Sequence, residues 1–176
     1  TRLRASGRKV VLVTGRELPE LKAVFAEINL CDVVVAENGG LLYWPNEQRE
    51  EVIAEAAPEA LVQELMRLDV KPFSVGRVIV ATWRPHEAKV LKAIQTLGLG
   101  HQIIFNKRAV MILPPGVNKA SGLRVGLERL KILPEQTVAV GDAENDHAFL
   151  DWCAVAAAVE NALPALKDRS DIVLTK

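Results

Sequence analysis

The sequence predicts an α/β fold in which a doubly wound parallel sheet carries a small inserted α/β domain. Three observations lead to this prediction. Apolar, strand-like runs alternate with helical stretches in the first 40 residues, the same alternation returns after residue 114, and the pattern between these two parts is different. Parallel sheets arise from such alternation because each crossover between parallel strands is usually a helix.

The first 40 residues predict one β-α-β unit. Residues 10–13 and 32–36 are runs of aliphatic, largely β-branched residues, and a helical stretch at residues 18–29 separates them. Continuous apolar runs of this kind are typical of strands that are buried on both faces of a parallel sheet. Ligands of such sheets bind at the carboxyl ends of the strands, so residues that follow these runs are candidates for a site.

The last third of the chain repeats this order of elements. Helices are predicted at residues 122–130 and 146–152, a helical turn at 162–167, and strands at 137–140, 154–159 and 171–174. Together with residues 1–40, this part predicts a discontinuous core formed by residues 1–40 and 115–176.

Residues 41–114 predict a separate inserted α/β domain, which we call the cap. Strands are expected at residues 41–44 and 77–82, helices at 58–68 and 85–97, and a hairpin formed by 102–105 and 109–113. The hairpin follows from two apolar runs that a short polar turn separates.

Composition excludes several classes of partner. The chain has 22 Lys plus Arg and 22 Asp plus Glu residues, so it has no basic field for nucleic acid. No apolar run approaches the roughly 18 residues of a membrane span. Cys31 and Cys153 lack the spacing of a metal or redox motif, which favours a reduced, cytoplasmic setting. We therefore expect a cytoplasmic protein without nucleic-acid or membrane partners.

An acidic loop follows the strand predicted at residues 137–140. Residues 141–146 read GDAEND, so carboxylates and an amide gather at the carboxyl end of a strand. Hard oxygen ligands of this kind suit Mg²⁺. Capping of the following helix explains the same residues, because Asp and Asn favour helix N-termini. From the loop alone, both interpretations stay open.

Thr14, Gly15 and Arg16 follow the strand predicted at residues 10–13 and precede a helix. A hydroxyl and free backbone N–H groups at such a turn can bind an anion. Thr14 could equally be an ordinary helix N-cap.

Lys119 follows Asn118 at the apparent start of a helix. A cation at that position opposes the helix dipole, at a cost of a few tenths of a kcal/mol up to about 1 kcal/mol. This unfavourable placement indicates a bound anion.

Together, the three segments resemble the second, third and fourth motifs of the haloacid dehalogenase superfamily, in particular those of its Cof-like phosphatases. Residues 11–16 (VLVTGR) are similar to the family's phosphate-binding threonine strand, Asn118 and Lys119 to its lysine motif, and residues 141–146 to its GDxxND motif. Residues 36–40 (AENGG) resemble the family's hinge into a cap. The resemblance spans nearly the whole chain.

The resemblance implies a Rossmann-like core and a Mg²⁺-dependent hydrolase that cleaves a small-molecule phosphate ester. In this family an aspartate attacks phosphorus and forms an aspartyl-phosphate, while the metal and positive groups hold the developing charge. Asp142 would be the magnesium ligand, and Lys119 would pair with the nucleophile and the phosphate. Asp146 would orient the metal shell or Lys119.

The resemblance also implies roles for the residues around these three. Thr14 and the N–H of Gly15 would hold phosphate oxygens, and Arg16, Asn118 and Asn145 would support the site. Substrate contacts are expected from the cap, where the candidates are Trp83, Arg84, His86, Lys107 and Arg108. Each of these five could equally lie in a solvated loop.

The sequence departs from the family pattern at its first motif, DxDGT. None of the thirteen residues before Thr14 is acidic, so neither the nucleophile nor the general acid lies at its usual place. We expect an N-terminal segment outside this sequence to supply them on a strand between residues 10–13 and 137–140, or else the missing strand to be replaced by rearrangement or by a strand from a partner chain. We expect these two runs not to pair directly. Two alternatives remain: an inactive binding or regulatory module, which the missing motif favours, or one domain of a larger protein. A dinucleotide-binding domain is disfavoured because no strand leads into a GxGxxG turn.

Overall fold

The computed structural model describes residues 2–175, without the side chains of Arg4 and Glu144. The strands are β1 (Val11–Val13), β2 (Val33–Ala36), β3 (Leu41–Trp44), β4 (Arg49–Val52), β5 (Phe73–Val75), β6 (Val80–Trp83), β7 (Gln102–Asn106), β8 (Ala109–Leu113), β9 (Val138–Gly141), β10 (Val155–Val159) and β11 (Ile172–Leu174). The α-helices are α1 (Arg2–Ala5), α2 (Leu18–Val24), α3 (Glu59–Arg67), α4 (Glu87–Thr96), α5 (Lys119–Leu130), α6 (His147–Leu150) and α7 (Pro164–Lys167). Short 3₁₀ turns lie at Ala26–Leu30, Glu37–Gly39, Pro134–Gln136 and Glu144–Asp146.

The core contains two sheets. In the first, the order is β1-β2-β3-β4, and β1 and β2 are parallel. In the second, the order is β11-β10-β9, and all three strands are parallel. The predicted α/β class with parallel core strands is thus confirmed. In the part of the chain that the structure describes, no helix is long and apolar enough to cross a membrane.

A gap separates the two core sheets. β1 is the edge of one sheet and β9 is the edge of the other, and within residues 2–175 they do not pair with each other. This agrees with the expectation that the two runs are not direct neighbours. On β9 the side chains of Val138 and Val140 are 66% and 49% exposed, an unusual state for a strand of continuous apolar sequence.

Helix α5 packs on both core sheets. Its Leu123 and Leu127 share a buried cluster with Ala139 of β9, and Val11 and Val13 of β1 pack against the same cluster. One hydrophobic core therefore joins the two sheets although their facing edges are unpaired.

The cap is an antiparallel sheet covered by two helices. Its strand order is β5-β6-β8-β7, and α3 and α4 bury their apolar faces on it. Leu61, Leu65 and Val90 from the helices and Val80 and Ile112 from the sheet are essentially inaccessible to solvent. The helices predicted at residues 58–68 and 85–97 and the predicted hairpin are all present in this unit.

The first strand predicted for the cap belongs to the core instead. β3 pairs antiparallel with β2, with Leu42 opposite Val35, and β4 then pairs with β3. The chain turns back sharply at Gly39, whose φ of +105° favours glycine. Leu41 and Leu42 are therefore buried in the core sheet, and the boundary predicted at residue 41 lies too early.

Gly122 allows α5 to approach this turn closely. A Cβ at Gly122 would lie 2.3 Å from the Cα of Gly39, whereas a Cβ at Gly126, one turn further along the helix, would make ordinary contacts of 3.6 Å or more. Gly122→Ala should lower the free energy of unfolding by about 1–3 kcal/mol, because overpacking outweighs the gain in helix propensity. Urea unfolding followed by circular dichroism measures the change.

The control for this prediction is Gly126→Ala, which adds the same methyl group to the same helix. It should leave the free energy of unfolding unchanged or raise it by up to about 1 kcal/mol. Equal losses in the two variants would show that the approach at Gly122 is not a steric limit.

Candidate active site

A cavity of about 880 Å³ opens between the core and the cap. From the core it is lined by Thr14, Gly15, Lys119, Asp142 and Asp146. These residues come from loops at the carboxyl ends of β1 and β9 and from the first turn of α5. Five of the predicted site residues therefore line one cavity, although about 130 positions separate the first from the last.

The loop at Thr14 has two hydrogen-bond donors without a partner among the described residues. The Thr14 hydroxyl oxygen accepts a hydrogen bond from the N–H of Arg16 at 3.2 Å, so its own proton is free to donate. The Gly15 N–H makes no hydrogen bond to any residue in the described range 2–175. We call residues 14–16 the phosphate loop, after the role that the sequence predicts for them. Arg16 itself forms an ion pair with Glu20 one helical turn away and lines the cavity.

Asn118 is the N-cap of α5. Its Oδ1 accepts the N–H of Ser121 at 3.0 Å, and the Ser121 hydroxyl accepts the N–H of Asn118 at 2.9 Å. This capping box starts the helix at Lys119, which the sequence placed at the apparent start of a helix, although the helical pattern was predicted only from residue 122. Asn118 thus acts on the site through the helix start that it fixes.

Lys119 and Asp146 form a buried ion pair. The Lys119 Nζ donates to Asp146 Oδ1 at 2.6 Å and to Asn145 Oδ1 at 3.2 Å. Lys119 is 8% exposed and Asp146 is 4% exposed. The second oxygen of Asp146 accepts the backbone N–H groups of Asp142 and Ala143 at 3.0 and 3.1 Å. The free-energy cost of removing the two charges from water is partly offset, because each charged group has further polar partners.

Asp142 lies in the loop after β9, with an exposed side chain that faces the cavity. No hydrogen bond or ion pair of its carboxylate to another described residue is found, so its oxygens are available to a cation. Mg²⁺ is usually bound by one or two carboxylates together with phosphate and water. Within residues 2–175, no group of three or more His, Cys, Asp or Glu side chains gathers as a metal site. Asp142 therefore fits Mg²⁺ as one carboxylate ligand, and the described residues do not provide a complete set of protein ligands.

The cap candidates divide into two groups. Trp83 and Lys107 line the cavity, whereas Arg84, His86 and Arg108 are not among the residues that line it. The Arg84 guanidinium lies 5.2 Å from the centroid of the Phe105 ring, and the His86 Nε2 lies 2.8 Å from the carbonyl oxygen of Lys71. These last two side chains therefore make contacts within the cap, and of the five cap candidates Trp83 and Lys107 are the two that line the cavity.

Sequence analysis missed Glu37 and Asn38 as parts of the site. Both lie in the turn after β2 with positive φ angles of 53° and 51°, and both are 1% exposed. Their backbone N–H groups donate to the carbonyl oxygens of Arg16 and Thr14, each at 3.0 Å, so this turn supports the phosphate loop. The available signal was a polar pair directly after a fully apolar strand.

The Glu37 carboxylate also ties the core to the cap. It accepts the backbone N–H groups of Arg77, Val78 and Ile79 at 3.0, 2.8 and 3.0 Å. A Cβ at Gly76 would lie 2.6 Å from this carboxylate, so a larger residue there would force the Glu37 side chain to shift. These hydrogen bonds to the buried Glu37 side chain thereby hold the cap against the core.

Comparison with known proteins places this site in a family. The family model of the haloacid dehalogenase-like hydrolases matches residues 1–80 and 74–176. The phosphoglycolate phosphatase of Methanothermobacter thermautotrophicus is 30% identical over 173 residues, which cover 96% of this chain and 77% of the relative. The phosphoglycolate phosphatase of Halorubrum lacusprofundi is 31% identical over 176 residues, which cover 94% of this chain and 76% of the relative.

The solved structures agree on the fold. A haloacid dehalogenase-like hydrolase from Bacteroides thetaiotaomicron superimposes with a TM-score of 0.79 at 16% identity, over 98% of this chain and 83% of that one. The family match covers the two core segments and the cap, and the curated relatives are phosphatases. The chain therefore belongs to the haloacid dehalogenase-like hydrolases and is of their phosphatase type.

Proposed function

We propose that the protein is a Mg²⁺-dependent phosphomonoester hydrolase that acts on a small organic phosphate through an aspartyl-phosphate intermediate. The observation that carries this proposal is the convergence of Thr14, Lys119 and Asp142 on one cavity. Phosphoglycolate is the first substrate to test, because it is named for the curated relatives.

The described residues would bind and orient the phosphate. The Thr14 hydroxyl and the Gly15 N–H donate to two phosphate oxygens, and the Lys119 ammonium neutralises charge that develops in the transition state. Asp146 holds the Lys119 ammonium at 2.6 Å and so limits its freedom to turn away. Asp142 would hold Mg²⁺, which would polarise the phosphoryl group when bound.

None of the other acidic side chains that line the cavity is suited to attack phosphorus. Glu20 pairs with Arg16, Glu17 accepts the hydroxyl proton of Ser74, and Asp146 accepts three donors. We place the attacking aspartate on a strand outside residues 2–175, in the gap between β1 and β9. The unpaired edges of β1 and β9 support this placement, because a strand between them could pair with both.

A binding or regulatory module is the second candidate function. It is favoured because, among the described residues that line the cavity, Asp142 is the only acidic side chain without a partner, and the proposal already assigns it to the metal. A phosphatase screen of the complete natural protein separates the two candidates. We expect phosphate release from phosphoglycolate or a sugar phosphate only when Mg²⁺ is added; binding of these esters without any release would support the module.

The Asp142→Asn variant tests the metal role. Because an amide binds Mg²⁺ more weakly than a carboxylate, the Mg²⁺ concentration for half-maximal activity should rise at least about tenfold. The measurement is a Mg²⁺ titration of phosphate release by the complete natural protein.

The control is Asp168→Asn, which removes one carboxylate from an exposed position that does not line the cavity. It should leave the Mg²⁺ titration unchanged. A metal role for Asp142 is contradicted if the two variants titrate alike.

A further inference from the structure

Asn38 packs against the backbone of the phosphate loop. A Cβ at Gly15 would come within 3.1 Å of both the Oδ1 and the Nδ2 of Asn38, so the amide packs against the backbone of the loop. The backbone N–H of Asn38 donates to the carbonyl oxygen of Thr14 at 3.0 Å. Asn38 therefore contacts the loop through both its main chain and its side chain.

The Asn38 amide also connects the cap to the lysine group. Its Nδ2 donates to the sulfur of Met111 on β8 at 3.0 Å, and its Oδ1 accepts a longer hydrogen bond of 3.5 Å from the Nδ2 of Asn145. Asn145 in turn accepts from the Lys119 Nζ at 3.2 Å. Because a thioether sulfur can only accept, the contact with Met111 turns the carbonyl oxygen of Asn38 towards Asn145.

The backbone conformation at position 38 suits asparagine. Its φ of 51° is in the left-handed region, which asparagine tolerates better than most residues. A residue chosen only to make the turn would need no buried amide, since glycine would adopt the same φ without strain. Buried polar side chains are normally hydrogen-bonded, so the side-chain contacts of Asn38 call for an explanation beyond the turn itself.

We propose that Asn38 is a positioning residue, which holds Asn145, and through it Lys119, in line with the phosphate loop. The inference rests on the proposed phosphatase function, since alignment of Lys119 with bound phosphate is what it would serve. Asn38 would not contact the phosphate itself, because it is 1% exposed and does not line the cavity.

The test compares Asn38→Gly, Asn145→Ala and the double variant in the complete natural protein. Glycine keeps the backbone conformation and removes only the side chain. For phosphoglycolate or p-nitrophenyl phosphate, we expect Asn38→Gly to lower kcat by about 10- to 100-fold with KM changed less than about threefold, as for other residues that orient a site from behind. The double variant should lose little more than the worse single variant, because both act through one contact.

A control separates the loss of the side chain from the relief of backbone strain. Gln48 has a nearly identical φ of 50° and lies exposed, away from the cavity. Gln48→Gly should therefore relieve backbone strain to a similar extent as Asn38→Gly, which changes the free energy of unfolding, and should leave kcat unchanged.

A second measurement requires no turnover. The side-chain amide of Asn145 should give an NMR order parameter of about 0.8 or more in the wild type and below about 0.6 in Asn38→Gly. If no ester is hydrolysed by the wild type, the proposed function fails, while this order parameter still tests the positioning. An unchanged order parameter, or a double variant whose losses multiply, overturns the role of Asn38.

Discussion

Replacing Lys119 with methionine should lower the kcat of the complete natural protein by about 10²- to 10³-fold, the loss that follows removal of a group that stabilises developing charge. The Nζ of Lys119 is held between Asp146 and Asn145 at the edge of the cavity, where no other described lysine is buried. Methionine keeps a four-atom apolar stem and removes the ammonium, and with it the charge and the hydrogen bonds to Asp146 and Asn145. Steady-state kinetics at saturating Mg²⁺ measure the change.

The same substitution leaves Asp146 as a buried carboxylate without its cation. Removal of one partner of a buried pair commonly costs about 3–5 kcal/mol. Asp146 keeps two backbone donors, the N–H groups of Asp142 and Ala143, so we expect a loss below that range. Adding Asp146→Asn to Lys119→Met should recover part of the stability and none of the turnover.

The control is Lys92→Met on the exposed face of α4, which should leave kcat and stability unchanged. A Lys119→Met enzyme that keeps its kcat would exclude Lys119 from the reaction. A loss of activity that the double variant restores would show that the single substitution acts through folding.

The largest effect on stability is expected from Glu37→Ala. This substitution leaves the buried backbone N–H groups of Val78 and Ile79, and the N–H of Arg77 beside them, without their acceptor. A buried donor that loses its partner costs about 1–3 kcal/mol, so the free energy of unfolding should fall by at least about 3 kcal/mol. Chemical denaturation measures this loss.

Hydrogen exchange locates the effect. Amide exchange at residues 77–79 should be slow in the wild type and much faster in Glu37→Ala, while the helix α5 keeps its protection. Glu27→Ala, which removes an exposed carboxylate, serves as the control and should change neither measurement. Slow exchange at residues 77–79 in Glu37→Ala would mean that these amides have another acceptor and that Glu37 does not hold the cap.

The strands that the sequence predicts well are those with a continuous apolar run. β1, β2 and β9 were located to within one residue by this pattern, although only β2 is fully buried within residues 2–175. β4 reads REEV and was missed, since it is a largely exposed edge strand whose charged residues resemble those of a loop. Its position depends on pairing with β3, which no local pattern encodes.

The site was predictable where its residues directly follow strands. Thr14 and Asp142 come directly after β1 and β9, and ligands of parallel sheets bind at the carboxyl ends of the strands. This rule predicts that the two residues lie close together, and both line one cavity with Lys119. The parts that were missed depend on distant partners. Glu37 and Asn38 meet Val78 and Met111, which lie 41 and 73 positions further along the chain.

The cap candidates show the same limit. Lys107 and Arg108 are neighbours in one turn, and the sequence could not distinguish them, yet only Lys107 lines the cavity. Lys107 takes a left-handed conformation with a φ of 55°. Which of the two cations lines the cavity depends on the conformation of this turn, which the two residue types do not reveal.

The two facing edges of β1 and β9 have a consequence for the behaviour of the chain in solution. An edge strand with free N–H and C=O groups is a template for pairing with another polypeptide, and proteins usually protect such edges with charges or proline. β1 (VLV) and β9 (VAVG) contain neither. Residues 2–175 on their own therefore carry two unprotected templates for aggregation or strand exchange. A strand that occupied the gap would remove both at once, so solubility at high concentration would report on whether the gap is filled.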